Sequence, residues 1–350
     1  MSSLTEVAHA SRKIIKFGSL GMGVFLLLWM GVGAAIKAYR KAHPPYVAPT
    51  VRFGVLDKIV FPQKEFQKKN FRAELPNDTF PVFKDQANVY VIYRPKSPVM
   101  ALELGKRTAA LMGFTGEAQQ VSTGVYRFAN NTQGQNLEMN VLESSFKMSY
   151  PYLTDQLLQN PEKMPSREEA VSQAKVFLQQ AEKLSADLEN GTQEVSFWKI
   201  NYDGLQRVEG LSEAHIIRVD FFREKLADGI TIVSTNPQES PVSVLVSGST
   251  VNNKKIVEVN YKHVEIDTAE NSASTYPIKT VQQAFEELKA GNYWPASNSS
   301  VQDVIIRKIY LAYFEPVTLT QFLQPVYVFE GDSKNNFVGY VPAIIDSYAK

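Results

Sequence analysis

The feature that most constrains this 350-residue chain is an apolar segment without charged side chains, residues 17–36, between Lys16 and Lys37. At a rise of about 1.5 Å per residue, a helix of this length spans about 30 Å, the thickness of the hydrocarbon core of a bilayer. The sequence therefore predicts one transmembrane helix over residues 17–36, preceded by a short tail, residues 1–16. This helix would anchor the chain in a cell membrane.

Two features of the segment allow other interpretations. The small residues Gly33-Ala34-Ala35 could end a cleaved signal peptide, but the apolar stretch is longer than a usual signal core, which favours an uncleaved anchor. Small residues four apart, Ser19 with Gly23 and Gly31 with Ala35, could pack on another helix or could simply be tolerated. Basic residues flank both ends equally, so the charges do not decide the orientation.

Composition excludes several classes of function. The chain carries 37 Lys and Arg against 36 Asp and Glu, a net charge of +1, so we expect no binding to nucleic acid. It has no cysteine, which excludes disulfides, thiolate catalysis and cysteine-ligated metals. No nucleotide, metal or catalytic motif occurs, so we expect no cofactor and no metal site.

Beyond the anchor, a proline-containing spacer at residues 37–74 leads into three segments, 75–150, 151–270 and 271–350. Each segment begins with a helix that has a cap or turn signal, and the helices are predicted at 98–112, 166–188 and 278–290. Ser166 and Glu169, for example, have the spacing of a capping box. Strands follow each helix. This order predicts an α+β protein with two or three units of a helix packed on an antiparallel sheet.

The central segment shows the clearest strand pattern. Ile217, Val219 and Phe221 alternate with polar residues, which is typical of a half-buried strand. The dipeptide Asp228-Gly229 follows, and it is a strong turn signal between two apolar runs. We therefore expect a hairpin centred on this turn.

Few side chains could carry catalysis. His215 and His263 lie in the predicted body, and either could act as a general base, but a base needs a positioned partner. We interpret both as solvated strand histidines. The carboxylates Asp220, Glu265 and Asp267 show no pairing that spacing can reveal, so we predict that the protein is not an enzyme.

Aromatic residues are concentrated near the carboxyl end. We interpret them first as a core and cross-strand pairs and, as the alternative, as an amphipathic groove for a peptide or a partner strand. The candidate residues of this partner groove are Tyr310, Tyr313, Phe322, Tyr327 and Phe329.

The order of parts resembles the YycH/YycI-type membrane-anchored regulatory proteins, and the repeating unit resembles the PepSY-like (cystatin-like) domains of exported bacterial proteins. Residues 166–184 leading into 195–202 carry the resemblance, as do residues 275–288 leading into 304–313 and 323–329. The resemblance implies a noncatalytic module outside the cytoplasm, in the bacterial envelope, that binds or restrains a partner such as a sensor kinase or a protease. It offers no catalytic residues.

These observations favour a membrane-anchored, extracytoplasmic binding or regulatory module that contacts a protein or peptide partner. Two other hypotheses remain open. One is an envelope hydrolase whose site is assembled from residues distant in sequence, and the other is a structural subunit of a cell-surface complex. The sequence does not indicate the oligomeric state.

Overall fold

A computed structural model describes residues 17–18, 22–23, 25–39, 46–94, 97–130, 134–237, 239–269, 272–297, 301–316, 320–332 and 337–350. The chain forms two units, Met1–Ala48 and Pro49–Lys350. In the first unit residues 25–39 are helical. Within the described residues, no helix combines the length and the apolar character needed to cross a bilayer. The predicted tail 1–16 and positions 19–21 and 24 of the predicted span 17–36 lie outside the described residues.

The described residues of the second unit form two sheets. Sheet A is antiparallel, with the strand order β3-β4-β5-β6-β12-β11-β9-β7-β8. Its strands are β3 (Ala118–Ser122), β4 (Val125–Asn130), β5 (Gln135–Asn140), β6 (Ser145–Ser149), β7 (Gln193–Asn201), β8 (Gly204–Val208), β9 (Ile216–Phe221), β11 (Val242–Ser247) and β12 (Ile256–Tyr261).

Sheet B has the order β1-β16-β17-β18-β15, with β2 paired to β13, β14 and β17. Its pairs are antiparallel except that β1 and β10 both run parallel to β16. Its strands are β1 (Asn70–Ala73), β2 (Gln86–Ile92), β10 (Thr231–Val233), β13 (Ile266–Asp267), β14 (Ser274–Pro277), β15 (Trp294–Pro295), β16 (Asp303–Phe314), β17 (Phe322–Gly331) and β18 (Val338–Pro342). The prediction of an α+β protein with antiparallel sheets is confirmed.

The helices of the second unit, within the described residues, are α1 (Pro98–Leu111), α2 (Gln156–Gln159), α3 (Arg167–Gln180), α4 (Ala186–Glu189), α5 (Asn252–Lys255) and α6 (Val281–Ala290). The three longest of them, α1, α3 and α6, each begin directly after a residue whose side chain caps the helix. Ser166 and Glu169 form the expected capping box of α3, and Thr280 and Gln283 form one on α6. Because Thr280 caps α6, this helix begins later than the predicted residue 278.

The predicted helix 166–188 is not continuous, because residues 181–185 interrupt it. Glu182 has φ of 55°, in the left-handed region, and the Lys183 N–H donates to the carbonyl of Leu178 at 2.7 Å. This geometry ends α3 in the way a glycine commonly does, although the residue here is glutamate. The chain then turns and forms the short helix α4, which holds Asp187.

The predicted hairpin around Asp228-Gly229 is also wrong. The turn exists, since the Gly229 N–H donates to the Leu226 carbonyl at 2.7 Å. However, β9 pairs with β7 and β11 in sheet A, whereas β10 pairs with β16 in sheet B. The segment between β9 and β10 therefore crosses from one sheet to the other, and it carries Arg223.

The two sheets do not follow the segment boundaries predicted at residues 150/151 and 270/271. Sheet A combines strands from segments 75–150 and 151–270, while sheet B takes β2 from the first of these segments and β10 and β13 from the second. The boundaries predicted for three units stay a prediction. Two principal cores lie against the two sheets, one beneath α1 and α3 on sheet A and one beneath α6 on sheet B.

Helix α1 packs on sheet A through small residues. Ala101, Gly105 and Ala109 are buried, and a Cβ added at Gly105 would lie 2.6 Å from a methyl carbon of Val141. This close approach leaves the larger apolar side chains of α1 on its outer side. Met100 and Leu104 remain 49% and 51% exposed.

Candidate functional site

A buried network of charged side chains lies where the two sheets meet. Asp187 comes from α4, Arg223 from just after β9, and His263 from just after β12, all on the side of sheet A. Glu315 follows β16 of sheet B directly. The side chains of Arg223, Glu315 and His263 are 4%, 8% and 1% exposed, whereas that of Asp187 is 33% exposed, so water reaches the network only at Asp187.

Arg223 is the centre of this network. Its Nη1 donates to Asp187 Oδ2 at 2.5 Å, and its Nη2 donates to Glu315 Oε1 at 2.7 Å and to the carbonyl of Val264 at 2.5 Å. Burial alone would lower the pKa of Arg223, but Glu315 and Asp187 outweigh it, so the pKa is raised. A buried charge needs such partners, because desolvation would otherwise oppose its burial strongly.

His263 is buried against the same groups. Its Nε2 lies 2.9 Å from Asp187 Oδ2 and 2.7 Å from Arg223 Nη1. Burial, and then the charge of Arg223, lower its pKa despite the opposing carboxylates. The interpretation of His263 as a solvated histidine is therefore wrong, because the fold closes over the end of β12. His215 is half-buried, and its Nδ1 accepts a hydrogen bond from the Ile200 N–H at 3.2 Å.

Ser185, His263 and Asp187 do not have the geometry of a catalytic triad. In a triad the serine hydroxyl meets one imidazole nitrogen and the carboxylate meets the other. Here Ser185 Oγ at 3.2 Å and the Asp187 carboxylate both approach Nε2, while Nδ1 faces the Tyr261 hydroxyl at 3.4 Å. Ser185 also donates to Asp187 Oδ1 at 2.5 Å. The Ser185 hydroxyl is thus hydrogen-bonded directly to the Asp187 carboxylate, and the imidazole ring of His263 does not lie between the two groups.

A cleft of about 500 Å³ adjoins the network. His263 and Val264 form part of its wall, and apolar lining comes from Met139 and Phe146 of sheet A and from Val141, just after β5. The outer side chains of α1, Met100 and Leu104, lie along it. Its charged lining residues are Arg94, Arg107, Glu143, Glu182, Lys183 and Glu265. The cleft therefore combines an apolar surface with charges of both signs.

The charged side chains of the cleft are not all paired. Arg107 Nη2 lies 2.5 Å from Glu182 Oε1. Arg94 donates through Nη2 to the carbonyl of Thr320, and its buried Nε has no hydrogen-bond partner among the described residues. Lys183 lies with its ammonium 5.6 Å from the centre of the Tyr261 ring. Within the described part of the chain, neither Arg94 nor Lys183 has a carboxylate within ion-pair distance.

The five residues of the predicted partner groove lie mostly inside the protein. Tyr313, Tyr327 and Phe329 are buried, and the hydroxyl groups of the two tyrosines donate to Asp228 and to the carbonyl of Lys279 at 2.6 Å. Tyr310 and Phe322 are half-buried. Tyr310 donates to Glu330 at 2.7 Å, and Phe322 stacks on Phe53 at 4.8 Å. A partner could reach only these two side chains without opening the core, so a role for the groove stays a prediction.

Sequence reasoning missed Asp187, Arg223 and Glu315. Asp187 and Glu315 are separated from Arg223 by 36 and 92 positions, and no local pattern marks them. Of the carboxylates that the sequence singled out, Asp220 binds Arg218 through both oxygens on the same strand. Among the described residues, no group of three or more His, Asp or Glu side chains could hold a metal ion.

No known protein family and no curated protein matches the sequence. Two solved structures share a limited likeness. The first is an uncharacterized protein from Eubacterium rectale, with 14% identity and a TM-score of 0.41, over 81% of this chain and 90% of that one. The second is the C-terminal domain of YpeB from Bacillus megaterium, with 14% identity and a TM-score of 0.28, over 73% of this chain and 96% of that one. Similarity at this level assigns neither family nor function.

Proposed function

We propose that this protein is a noncatalytic binding or regulatory module that contacts a protein or peptide partner through the cleft beside α1. The observation that carries the proposal is the exposure of Met100 and Leu104 along a cleft with an apolar lining. Exposed apolar side chains beside a concave surface are typical of sites that bury a partner's side chains. The resemblance to YycH/YycI-type regulators supports the same interpretation, and it suggests a sensor kinase or a protease as partner.

The position of the buried network supports a role in keeping one wall of the cleft rigid. Arg223 bonds the carbonyl of Val264, and the Val264 N–H donates to Glu315 Oε1 at 3.3 Å. Val264 is thus fixed through both of its backbone groups, at a wall of the cleft. A preformed wall lowers the entropy that a partner loses on binding. The network therefore favours a rigid recognition surface over a reactive centre.

Photo-cross-linking in intact cells tests this proposal. A photoreactive amino acid at Leu104 should capture one defined partner, because this position borders the cleft. The matched control is the same amino acid at Leu157 on α2, which is 65% exposed and lies outside the cleft lining. A cross-link at both positions, or at neither, would contradict a binding site at this cleft.

We also propose that residues 17–36 anchor the protein in the membrane and that the body lies outside the cytoplasm. The uncharged apolar sequence and its position before the body support this proposal. Protease added to intact spheroplasts should then digest the body. If the body survives until the membrane is lysed, the proposed orientation is wrong. If extraction with carbonate releases the intact chain, the anchor itself is wrong.

A further inference from the structure

We infer that Arg94 and Lys183 form an anion-binding subsite of the cleft, which accepts a carboxylate of the partner peptide. This inference rests on the proposed function and names the chemistry of its ligand. The two cations come from different parts of the chain, Arg94 just after β2 and Lys183 just after α3, and both line the same cleft.

Arg94 has hydrogen-bonding capacity left over. A guanidinium carries five N–H donors. Among the described residues the Arg94 side chain makes one hydrogen bond, from Nη2 to the carbonyl of Thr320, so the other N–H groups on its Nη atoms are left for a ligand, whereas its Nε is buried out of reach of solvent. Burial is also the leading cause that lowers the pKa of Arg94, with Glu143 opposing it. A half-buried arginine with unused N–H donors is stabilised most by an acceptor with two oxygens, such as a carboxylate, which can accept two hydrogen bonds from it.

Lys183 is held in a fixed position. The left-handed backbone of Glu182 and the hydrogen bond from the Lys183 N–H to Leu178 set its main chain, and the Tyr261 ring lies beside its ammonium. Burial lowers the pKa of Lys183, while Glu265 and Glu182 oppose this effect. Glu182, directly before Lys183, has a positive φ, which is uncommon for a residue other than glycine and often marks a functional position. An arriving carboxylate would offset the desolvation of this ammonium.

The carboxylates of the cleft act on these two cations at longer range, but among the described residues none of them forms an ion pair with either cation. Glu182 is already paired with Arg107. Glu143 is half-buried and Glu265 is exposed, and neither lies within ion-pair distance of Arg94 or Lys183 among the described residues. The favoured occupant is thus a peptide that combines apolar side chains, for the surface near Met100 and Leu104, with one carboxylate. That carboxylate could come from an acidic side chain or from a free carboxyl terminus.

The test uses the 350-residue chain in lipid nanodiscs and three pools of fluorescent nonapeptides with randomised apolar flanks. The pools carry a central Glu with a C-terminal amide, a central Gln with an amide, or a central Gln with a free carboxylate. We expect one of the two acidic pools to bind at least about tenfold more tightly than the neutral pool, the effect of one charge-assisted hydrogen bond. The acidic pool that binds identifies the source of the carboxylate.

Variants assign the effect to the subsite. Arg94→Gln and, independently, Lys183→Gln should each remove most of the preference for the acidic pool. Arg127→Gln should retain it, because that arginine is exposed on β4 and pairs with Glu138. If the three pools bind the wild type equally, the subsite is overturned and the proposed function stands. If no pool binds and the Leu104 cross-linker captures nothing, both are overturned.

Discussion

The guanidinium of Arg223 lies 2.7 Å from the carboxylate of Glu315 and joins the two sheets, because Arg223 follows β9 of sheet A and Glu315 follows β16 of sheet B. The same guanidinium binds Asp187 at 2.5 Å, so a single side chain connects α4 and both sheets. Three charged groups that are distant in sequence thereby become one structural element beside the cleft.

We expect Arg223→Met to destabilise the protein by about 3–5 kcal/mol, since removal of one member of a buried ion pair leaves the partner charges desolvated. Urea denaturation followed by circular dichroism would measure the loss. The matched control is Arg72→Met, whose ion pair with Glu74 is solvent-exposed and should contribute less than about 1 kcal/mol. Equal losses in the two variants would contradict a structural role for Arg223.

The stability of the protein should decrease as the pH falls from 7.5 to 5.5. His263 faces Asp187, Arg223, Glu315, Ser185 and Tyr261, and burial followed by the charge of Arg223 lowers its pKa in the folded state. The unfolded histidine titrates near pH 6.5. Below that pH the unfolded chain binds a proton that the folded chain does not, so acidification favours unfolding until the pH passes the folded pKa.

The midpoint of urea denaturation at pH 7.5, 6.5 and 5.5 would show this dependence. Asp187 also has a lowered pKa, but its contribution is lost only near and below about pH 3.9, outside this range. Burial lowers the pKa of His215 as well, so His215 also contributes to the pH dependence of stability. The His215→Gln variant removes this contribution and serves as the control. A midpoint in His215→Gln that is unchanged or higher at pH 5.5 would contradict the assignment to His263.

Two neighbouring positions on α3 should respond differently to truncation. Leu178 is fully buried against sheet A, and Leu178→Ala should cost about 2–5 kcal/mol. Phe177 is only half-buried, so Phe177→Ala should cost less than Leu178→Ala although it removes more atoms. Thermal unfolding of the two variants would compare them. A larger loss in Phe177→Ala than in Leu178→Ala would contradict the assignment of Leu178, and not Phe177, to the core.

The sequence predicted those parts of the fold that depend on near neighbours. Ser166 with Glu169 marked the start of α3, because a capping box needs residues only three positions apart. The apolar alternation of residues 217–221 marked β9 in the same way. Both signals are complete within a few residues, so no tertiary contact was needed to interpret them.

The sequence could not predict which elements become partners. The turn at Asp228-Gly229 has the composition of a hairpin, but β10 pairs with β16, about eighty positions further along. The choice between β9 and β16 depends on the cores of both sheets rather than on the turn. The network and the cleft were missed for the same reason, since Arg223, His263 and Glu315 acquire their roles only after the two sheets meet.

The last prediction concerns Ser185, which has the residue types of a triad around it but not their geometry. Its hydroxyl donates to Asp187 at 2.5 Å, and both groups approach the same imidazole nitrogen, Nε2 of His263. A histidine arranged in this way cannot take the serine proton on one nitrogen while a carboxylate orients the other. We therefore expect no labelling of Ser185 by a fluorophosphonate probe under conditions that label trypsin. Labelling of the wild type that disappears in a folded Ser185→Ala variant would instead support the envelope hydrolase.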